Sequence, residues 1–191
     1  MPGKIYQLKV SLMGAKPPIW RRILIKADTL LPDLHKILQT TMGWTNSHLH
    51  QFTDGKKFYS EPDDDDMMET VDYRKLKTSQ LLKKEKDKLM YEYDFGDGWM
   101  HEVLLEKILE EEKGKIYPEC IAGKRACPPE DCGGVWGYMD LLAIASDPKH
   151  EEHEEMEGWL GDNFDPERFN KEEVTEELRS DNFGVFSFFD E

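Results

Sequence analysis

One short segment, Ala126 to Tyr138, constrains this chain more than any other part of its sequence. It reads Ala-Cys-Pro-Pro-Glu-Asp-Cys-Gly-Gly-Val-Trp-Gly-Tyr and runs directly into the apolar segment Met139 to Ala145. Two prolines fix backbone φ and remove hydrogen-bond donors, whereas two adjacent glycines permit positive φ and close backbone approach. The segment therefore predicts a shaped turn that holds Glu130 and Asp131 just before a helix.

Length and hydropathy bound the class of protein. A chain of 191 residues fits one domain, which we place at residues 1–191, with an acidic loop at 61–69 and an acidic helical C-terminal region at 149–191. No apolar run approaches the ~20 residues that span a bilayer. The first residues lack the apolar core of a signal peptide. We therefore expect a cytoplasmic protein with no membrane partner.

The charge is unevenly distributed along the chain. The net charge is -15, yet residues 1–60 hold nine Lys and Arg against three Asp, which leaves 16 basic against 37 acidic residues in the rest. Nucleic-acid backbones are bound by neutralising phosphates with Lys and Arg. The global charge disfavours nucleic acid, although the N-terminal third would attract it. We favour the simpler interpretation that the basic N-terminal third and the acidic remainder attract each other, or that their charges keep the surface of the protein hydrated.

The first third of the sequence predicts two strands and a helix. Apolar and polar residues alternate from Lys4 to Met13, and a second strand is expected over Ile19 to Lys26 after a proline-rich turn. Apolar residues then recur at helical spacing between Pro32, which suits a first helical turn, and Gly43, which suits a helix end. This ββα order resembles the start of a β-grasp unit.

The remaining elements complete an α+β pattern. Glycines on both sides of Asp97 predict a tight hairpin turn between two alternating segments. The other expected elements are extended segments at His48–Phe52 and Phe58–Tyr59, hairpin strands at Leu89–Phe95 and Trp99–Ile108, and helices at Thr78–Lys83, Gly134–Ala145, His150–Leu160 and Asn170–Ser180. We predict a mixed or antiparallel sheet with a β-grasp-like ββα start and C-terminal helices.

Several motifs together resemble one known family. They are Pro18-Ile-Trp-Arg-Arg22, Leu34-His35 leading to Met42-Gly-Trp44, Ser47-His-Leu-His-Gln-Phe52, Tyr93-Asp-Phe-Gly-Asp-Gly-Trp99 with His101-Glu102, and Cys127-Pro-Pro-Glu-Asp-Cys-Gly-Gly134 with Gly137-Tyr138. With them the chain resembles the Ri-plasmid open-reading-frame-three-like family, whose relatives include insertion-element passenger proteins labelled resolvase-like, or TnpR-like. The resemblance implies a compact α+β domain without an established biochemical activity. A serine recombinase needs a nucleophilic Ser among several arginines, and this acidic chain with few Arg does not fit that activity.

Histidines and aspartates on two predicted hairpins are the candidate metal ligands. His48 and His50 are two apart on an extended segment, so their side chains point to the same face. Asp94, Asp97 and His101 flank the tight turn of the other hairpin. Imidazole and carboxylate together suit Zn²⁺ or Mn²⁺. The alternative, which we favour, is that these side chains stabilise their own turns and make local hydrogen bonds.

A second group of residues is suited to binding a ligand or to acid–base chemistry. Asp94, Asp97 and Asp131 are the candidate catalytic carboxylates. Asp131 is a candidate general base or metal ligand, although capping the next helix would explain it fully. Adjacent residues on a strand face opposite sides of the sheet, so one of the two strand arginines is expected to pair with an acid of the C-terminal region and the other to stay free for a ligand carboxylate or phosphate. The candidate ligand-binding residues are Arg21, Arg22, Trp99, Gly133 and Gly134.

The three cysteines do not form a recognisable zinc motif. Cys120, Cys127 and Cys132 follow a C-x₆-C-x₄-C spacing rather than the C-x₂-C of structural zinc sites. An odd number in a chain expected to be cytoplasmic also argues against a disulfide framework. We interpret them as small, partly buried apolar residues.

Three functions remain open on these grounds. The leading hypothesis is a non-catalytic binding or interaction domain for an unidentified protein or small molecule, associated with mobile genetic elements through its family resemblance. It needs no cofactor. The first alternative is a metal-dependent hydrolase or nuclease-like enzyme that uses the His/Asp groups and Zn²⁺ or Mn²⁺. The second is a nucleic-acid accessory protein that uses the basic N-terminal hairpin.

Overall fold

The N-terminal hairpin forms because apolar side chains alternate along both of its strands. A computed structural model describes residues 3–62, 70–161, 164–181 and 183–184. Within these ranges the strands are β1 (Lys4–Leu12), β2 (Trp20–Lys26), β3 (His50–Thr53), β4 (Phe58–Ser60), β5 (Thr70–Asp72), β6 (Lys88–Tyr93), β7 (Trp99–Glu110) and β8 (Glu119–Lys124). The helices are α1 (Leu31–Met42), α2 (Thr78–Leu81), α3 (Gly134–Ala145), α4 (His153–Leu160) and α5 (Lys171–Glu177).

All eight strands join one mixed sheet in the order β5-β4-β3-β6-β7-β1-β2-β8. β4 and β5 are parallel, and the other neighbours are antiparallel. This arrangement confirms the predicted α+β class with a mixed sheet. The β-grasp-like detail is not confirmed. No helix in the described ranges is long and apolar enough to cross a membrane.

α1 lies against the sheet through the face that its apolar spacing predicts. Leu31, Leu34 and Leu38 are fully buried, and residues from β1 to β7 share their hydrophobic cluster. Gly43 ends the helix with a φ of 93°, a left-handed conformation that costs glycine little. The predicted ββα start is therefore present, with the expected helix end.

The β6–β7 hairpin places an aspartate at a strand end. Tyr93 pairs with Trp99 across the hairpin, and both are completely buried. Asp94 follows with a φ of 56°, and its Oδ1 accepts a hydrogen bond from the Gly96 amide at 2.9 Å. Short polar residues tolerate this left-handed conformation by bonding locally. The turn therefore fixes the Asp94 carboxylate at the edge of the core.

The C-terminal region attaches to a strand that the sequence did not reveal. β8 pairs with β2, and Cys120 of β8 exchanges hydrogen bonds with Thr175 of α5, each 3.1 Å long. Asn170 caps α5 through its side chain, as the sequence predicts for a helix start at this residue. Of the predicted acidic loop, residues 63–69 lie outside the described ranges.

Candidate metal centre and adjoining cavity

Glu130 fixes the Pro-Pro-Glu-Asp loop to the core. Its Oε2 accepts hydrogen bonds from the Thr45 amide at 3.0 Å and the Thr45 hydroxyl at 2.5 Å, and its Oε1 accepts one from the Tyr93 hydroxyl at 2.5 Å. The Trp44 indole donates to the Pro128 carbonyl at 2.9 Å. Burial of Tyr93, and after it the Glu130 carboxylate, raise the pKa of the Tyr93 phenol far above its usual value. The loop position is therefore set by four hydrogen bonds.

Asp131, the next residue, points away from the core. Its φ of 59° turns the chain, and its side chain is 75% exposed. The Asp131 Oδ1 lies 3.4 Å from the Nε2 of His48. It has no hydrogen bond within the part of the chain that the structure describes. The left-handed turn thus gives two neighbouring carboxylates opposite directions, with Glu130 inward and Asp131 towards His48.

His48 also approaches Asp94 from the other side of its ring. The Nδ1 of His48 lies 3.8 Å from the Asp94 Oδ2, the oxygen that the turn leaves free. His48, Asp94 and Asp131 each offer one ligand atom, and these three atoms lie within 4.8 Å of one another. We call these three residues the His48–Asp94–Asp131 triad.

The triad has the donor set of a divalent-cation site. Neutral imidazole and two carboxylates offer lone pairs without thiolate, which suits Zn²⁺ and Mn²⁺. Asp131 and His48 are partly exposed, so an ion held by three protein ligands would keep positions open to water or to a ligand. The structure thus brings together three of the predicted candidates.

Asp97, Gly133 and Gly134 interact with one another instead. The Asp97 Oδ2 accepts a hydrogen bond from the Gly133 amide at 3.2 Å, so the glycine pair binds a carboxylate of its own chain. Gly134 has a φ of 69°, and a Cβ there would collide with the Asp97 carbonyl. The N-cap of α3 is Gly133. The prediction that Asp131 caps this helix is therefore wrong.

His101 and Trp99 lie inside the core, away from the triad. Both are fully buried, and the His101 Nδ1 lies 2.9 Å from the Trp99 carbonyl oxygen. Burial lowers the pKa of His101 to about 4, so its imidazole is neutral near pH 7. Neither side chain reaches the surface of the described structure.

Both strand arginines are engaged within the protein. The Arg21 guanidinium is buried, bonds the carbonyls of Trp20, Thr41 and Lys124, and lies over the ring of Phe169. Arg22 on the opposite face forms a bidentate pair with Glu106, with distances of 2.6 and 2.8 Å. The acid that Arg22 contacts belongs to β7, whereas the prediction placed it in the C-terminal region. The expected free arginine is not observed.

His50 lies beside the triad but has other partners. Its ring stacks on that of His35 with centroids 3.4 Å apart, and its Nε2 lies 2.9 Å from the Tyr73 hydroxyl. His35 Nε2 donates to Asn46 Oδ1 at 2.7 Å, and its Nδ1 accepts from the Tyr91 hydroxyl at 2.8 Å. This pattern fits a neutral His35 ring.

A cavity of about 820 Å³ opens between α1 and the β3 side of the sheet. His48 lines it, whereas Asp94 and Asp131 do not, so the triad meets the cavity through His48 alone. Its polar wall includes the stacked rings of His35 and His50 and the side chain of Tyr73. Leu49 and Phe95 add exposed apolar surface, and the charged lining residues are Lys36, Glu61 and Glu92. A volume of this size accommodates a small molecule.

The cysteines have the environment of structural residues. Burial raises the pKa of Cys120 to about 11 and that of Cys132 to about 12, and it raises the pKa of Cys127 further. A protonated thiol is a poor nucleophile and a poor metal ligand. No cysteine joins the metal-ligand triad found among the described residues.

Comparison with known proteins agrees with this architecture. The fold and site define a class of α+β proteins with a mixed eight-stranded sheet and a polar cluster at the end of the central hairpin. The chain belongs to the plasmid pRiA4b ORF-3-like protein family, whose model matches residues 4–173. The predicted family resemblance is therefore confirmed.

Two relatives illustrate the family. The uncharacterized protein y4hQ of Sinorhizobium fredii is 35% identical over 162 residues, which cover 84% of this chain and 83% of that protein. The crystal structure of MM3350, a protein of unknown function from Methanosarcina mazei Go1, has a TM-score of 0.82 and 42% identity, and covers 91% of this chain and 99% of that one. Neither relative has an assigned activity, and no catalytic function is shown.

Sequence reasoning missed His35 and the structural role of Glu130. His35 follows Leu34 in an amphipathic helix, where it looks like a surface residue, although it is 4% exposed. Its pairing with His50 depends on how α1 crosses the sheet, which helical periodicity does not encode. For Glu130, the neighbouring prolines signalled a fixed loop but not the partners of the carboxylate.

Proposed function

We propose that this protein is a small-ligand-binding domain whose site combines the cavity with a divalent cation on the His48–Asp94–Asp131 triad. The observation that carries the proposal is the approach of three ligand atoms to within 4.8 Å from positions 46 and 37 residues apart in sequence. Side chains that only stabilise their own turns have no need to bring their ligand atoms this close to one another. The leading hypothesis of a binding domain thereby gains a specific site.

The cavity supports a ligand that is partly apolar. Leu49 and Phe95 offer exposed apolar surface, and the neutral imidazole of His50 adds an uncharged hydrogen-bonding group, whereas both ring nitrogens of His35 are already bonded within the protein. A bound cation at the border would take an anionic or carbonyl oxygen of the ligand. We propose that the protein acts in the cytoplasm on such a ligand, without a membrane partner.

A metal-dependent hydrolase is the second candidate. It is favoured by one observation, namely that His48 of the triad lines a cavity large enough for a substrate. A cation with open positions lowers the pKa of bound water and polarises a substrate carbonyl or phosphoryl group.

Nucleic-acid binding through the N-terminal hairpin has weaker support. Arg21 is buried, Arg22 pairs with Glu106, and the Lys26 ammonium lies 3.7 Å from Glu111. Of the basic residues behind that hypothesis, Arg21 is thus withdrawn from the surface, and Arg22 and Lys26 lie beside acids of their own chain. Phosphate binding needs such groups to be free.

The proposal is tested by titrating chelator-treated protein with Mn²⁺ and following the free ion by electron paramagnetic resonance. We expect one Mn²⁺ site per chain. His48→Ala and Asp94→Asn should each lower its affinity for Mn²⁺ at least tenfold. His153→Ala is the matched control, because His153 lies 3.7 Å from Glu157 on an exposed acidic helix and would report only adventitious binding.

Two outcomes would contradict the proposal. One is the absence of binding at millimolar Mn²⁺ and Zn²⁺. The other is binding that the His153 variant weakens as much as the His48 variant does. Turnover of a generic ester or phosphodiester that depends on both the ion and Asp131 would favour the hydrolase over the binding domain.

A further inference from the structure

α3 is apolar on nearly all sides although little of it is buried. Asp140 is the only charged residue among its twelve positions. Only Gly134, Tyr138 and Leu141 are buried, and the Trp136 side chain is 80% exposed. A helix that is apolar all round is normally enclosed by other structure. α3 thus leaves a face without cover in the described structure.

Next to that face, α3 forms a groove with α4. The groove has a volume of about 300 Å³ and lies beside the Pro-Pro-Glu-Asp loop. Its apolar floor and walls come from Gly137, Leu141 and Ile144 of α3 and from Met156 and Trp159 of α4. Trp159 is 47% exposed, so this surface is accessible to a partner. Exposed apolar patches with a polar border are typical of protein interaction sites.

The border of the groove is strongly acidic. Asp131 and Asp140 line it directly. Residues 131–161, which contain both helices, hold eight Asp and Glu against a single Lys. Such a field attracts a cationic partner and repels an anionic one.

We propose that the α3–α4 groove binds a basic amphipathic helix of another protein. The large apolar residues of that helix would enter between Ile144 and Trp159, and its Lys or Arg side chains would face Asp131, Asp140 and the carboxylates of α4. In helix-in-groove recognition, apolar side chains anchor the helix in the groove, and charged side chains contact the border of the groove.

Charge argues against a second copy of this chain as the occupant. A two-fold dimer through the groove would place two acidic segments against each other, since a two-fold interface uses the same patch on both subunits. Like charges that face each other across an interface are costly. The groove therefore fits a cationic partner better than it fits itself.

The test uses two synthetic 18-residue helical peptides made of leucine with lysine and of leucine with glutamate, at identical positions. Fluorescein-labelled peptide is titrated with the full-length protein in buffer containing EDTA, which keeps cations off Asp131, and anisotropy is recorded. We expect the lysine peptide to bind and the glutamate peptide not to bind. Asp140→Lys and Trp159→Ala should each weaken binding at least fivefold.

Matched substitutions elsewhere separate the groove from general attraction to an acidic protein. Glu110→Lys changes the charge equally at the end of β7, and Ile116→Ala removes a side chain that is 62% exposed on another surface. Both should bind the lysine peptide like the parent. Equal weakening by Glu110→Lys and Asp140→Lys, or no binding by the parent, would overturn the proposal.

Sedimentation of the unliganded protein provides an independent check. A dimer that Trp159→Ala dissociates would mean that a second copy occupies the groove, which contradicts the proposal. A monomer that binds the lysine peptide supports it. Because EDTA is present throughout, the result does not depend on whether the triad binds a cation.

Discussion

The imidazole rings of His35 and His50 lie parallel with centroids 3.4 Å apart and an interplanar angle of 2°. Burial lowers the pKa of His35 to about 4 and that of His50 to about 3, and each positive ring would further disfavour charge on the other. Two charged rings at this distance would repel each other. Both histidines are therefore uncharged near neutral pH.

We predict that this pair makes the protein acid-sensitive. Because the folded-state pKa of His35 lies below the unfolded value of about 6.5, the unfolded chain takes up protons first, and stability falls as pH drops below that value. The contribution of His35 to the loss between about pH 7 and about pH 5 is on the order of 2 kcal/mol. Urea unfolding at a series of pH values measures it.

A double variant and a control separate this effect from general acid denaturation. His35→Gln with His50→Gln should give a less stable protein whose stability changes less between about pH 7 and about pH 5. His150→Gln, on the acidic C-terminal segment, should keep the parent slope. An unchanged slope in the double variant would mean that the stacked pair does not govern the acid response.

Glu130 and Asp131 are predicted to differ sharply in their effect on stability. Glu130→Ala leaves the Tyr93 hydroxyl and two Thr45 groups without their acceptor, at a cost of about 2–3 kcal/mol in the free energy of unfolding. Asp131→Ala removes an exposed side chain and should stay within about 0.5 kcal/mol. Chemical denaturation of both variants tests this contrast, and equal losses would refute the assigned roles.

The Glu130 effect can be assigned to its bond with Tyr93 by a double-mutant cycle. Tyr93→Phe removes the hydroxyl and leaves the ring. The hydrogen bond between Glu130 and Tyr93 is 2.5 Å long. We expect the double variant to lose about 1 kcal/mol or more less in free energy of unfolding than the sum of the losses in Glu130→Ala and Tyr93→Phe. Additive losses would show that Glu130 acts through Thr45 alone.

Two helical glycines should respond in opposite ways to alanine. A Cβ at Gly137 would collide with the Cys132 carbonyl, whereas a Cβ at Gly158 meets nothing within 4 Å. Gly137→Ala should therefore destabilise the protein by more than about 1 kcal/mol, and Gly158→Ala should stabilise it by about 0.5–1 kcal/mol through helix propensity. Thermal unfolding of the two variants gives the comparison. A neutral Gly137→Ala would show that the loop has room to move.

The cysteines are predicted to be unreactive in the folded protein. Burial keeps Cys120, Cys127 and Cys132 protonated near neutral pH, and the thiolate is the reactive form. A thiol reagent such as Ellman's reagent should label the native chain slowly and all three cysteines rapidly in urea. Rapid native labelling of Cys132 would reveal a reactive thiol beside the α3–α4 groove.

Periodicity made most of the fold predictable, because the apolar faces of β1, β2, α1, β6 and β7 all face the same core. β5 and β8 were missed. β5 has three residues, and β8 shows no clean alternation of buried and exposed positions. Their place in the sheet depends on β4 and β2, which local sequence does not specify.

The site was only partly predictable for a related reason. Asp94 stood out through its turn and His48 through its motif, yet which of the two histidines would approach Asp94 depends on where β3 begins. β3 starts at His50, which leaves His48 before the strand and free to turn towards Asp94 and Asp131. A shift of two residues in that strand would have exchanged their positions.

The pairing of β1 with β7 has a consequence for how the protein is made. Lys4 at the start of the chain pairs with Glu110, more than one hundred residues later. A ribosome must therefore release β7 before β1 gains its second neighbour, and until then the growing chain exposes an unpaired edge. Cells that produce this protein quickly would contain many incomplete chains with this unpaired edge. Such chains either bind chaperones or associate with one another.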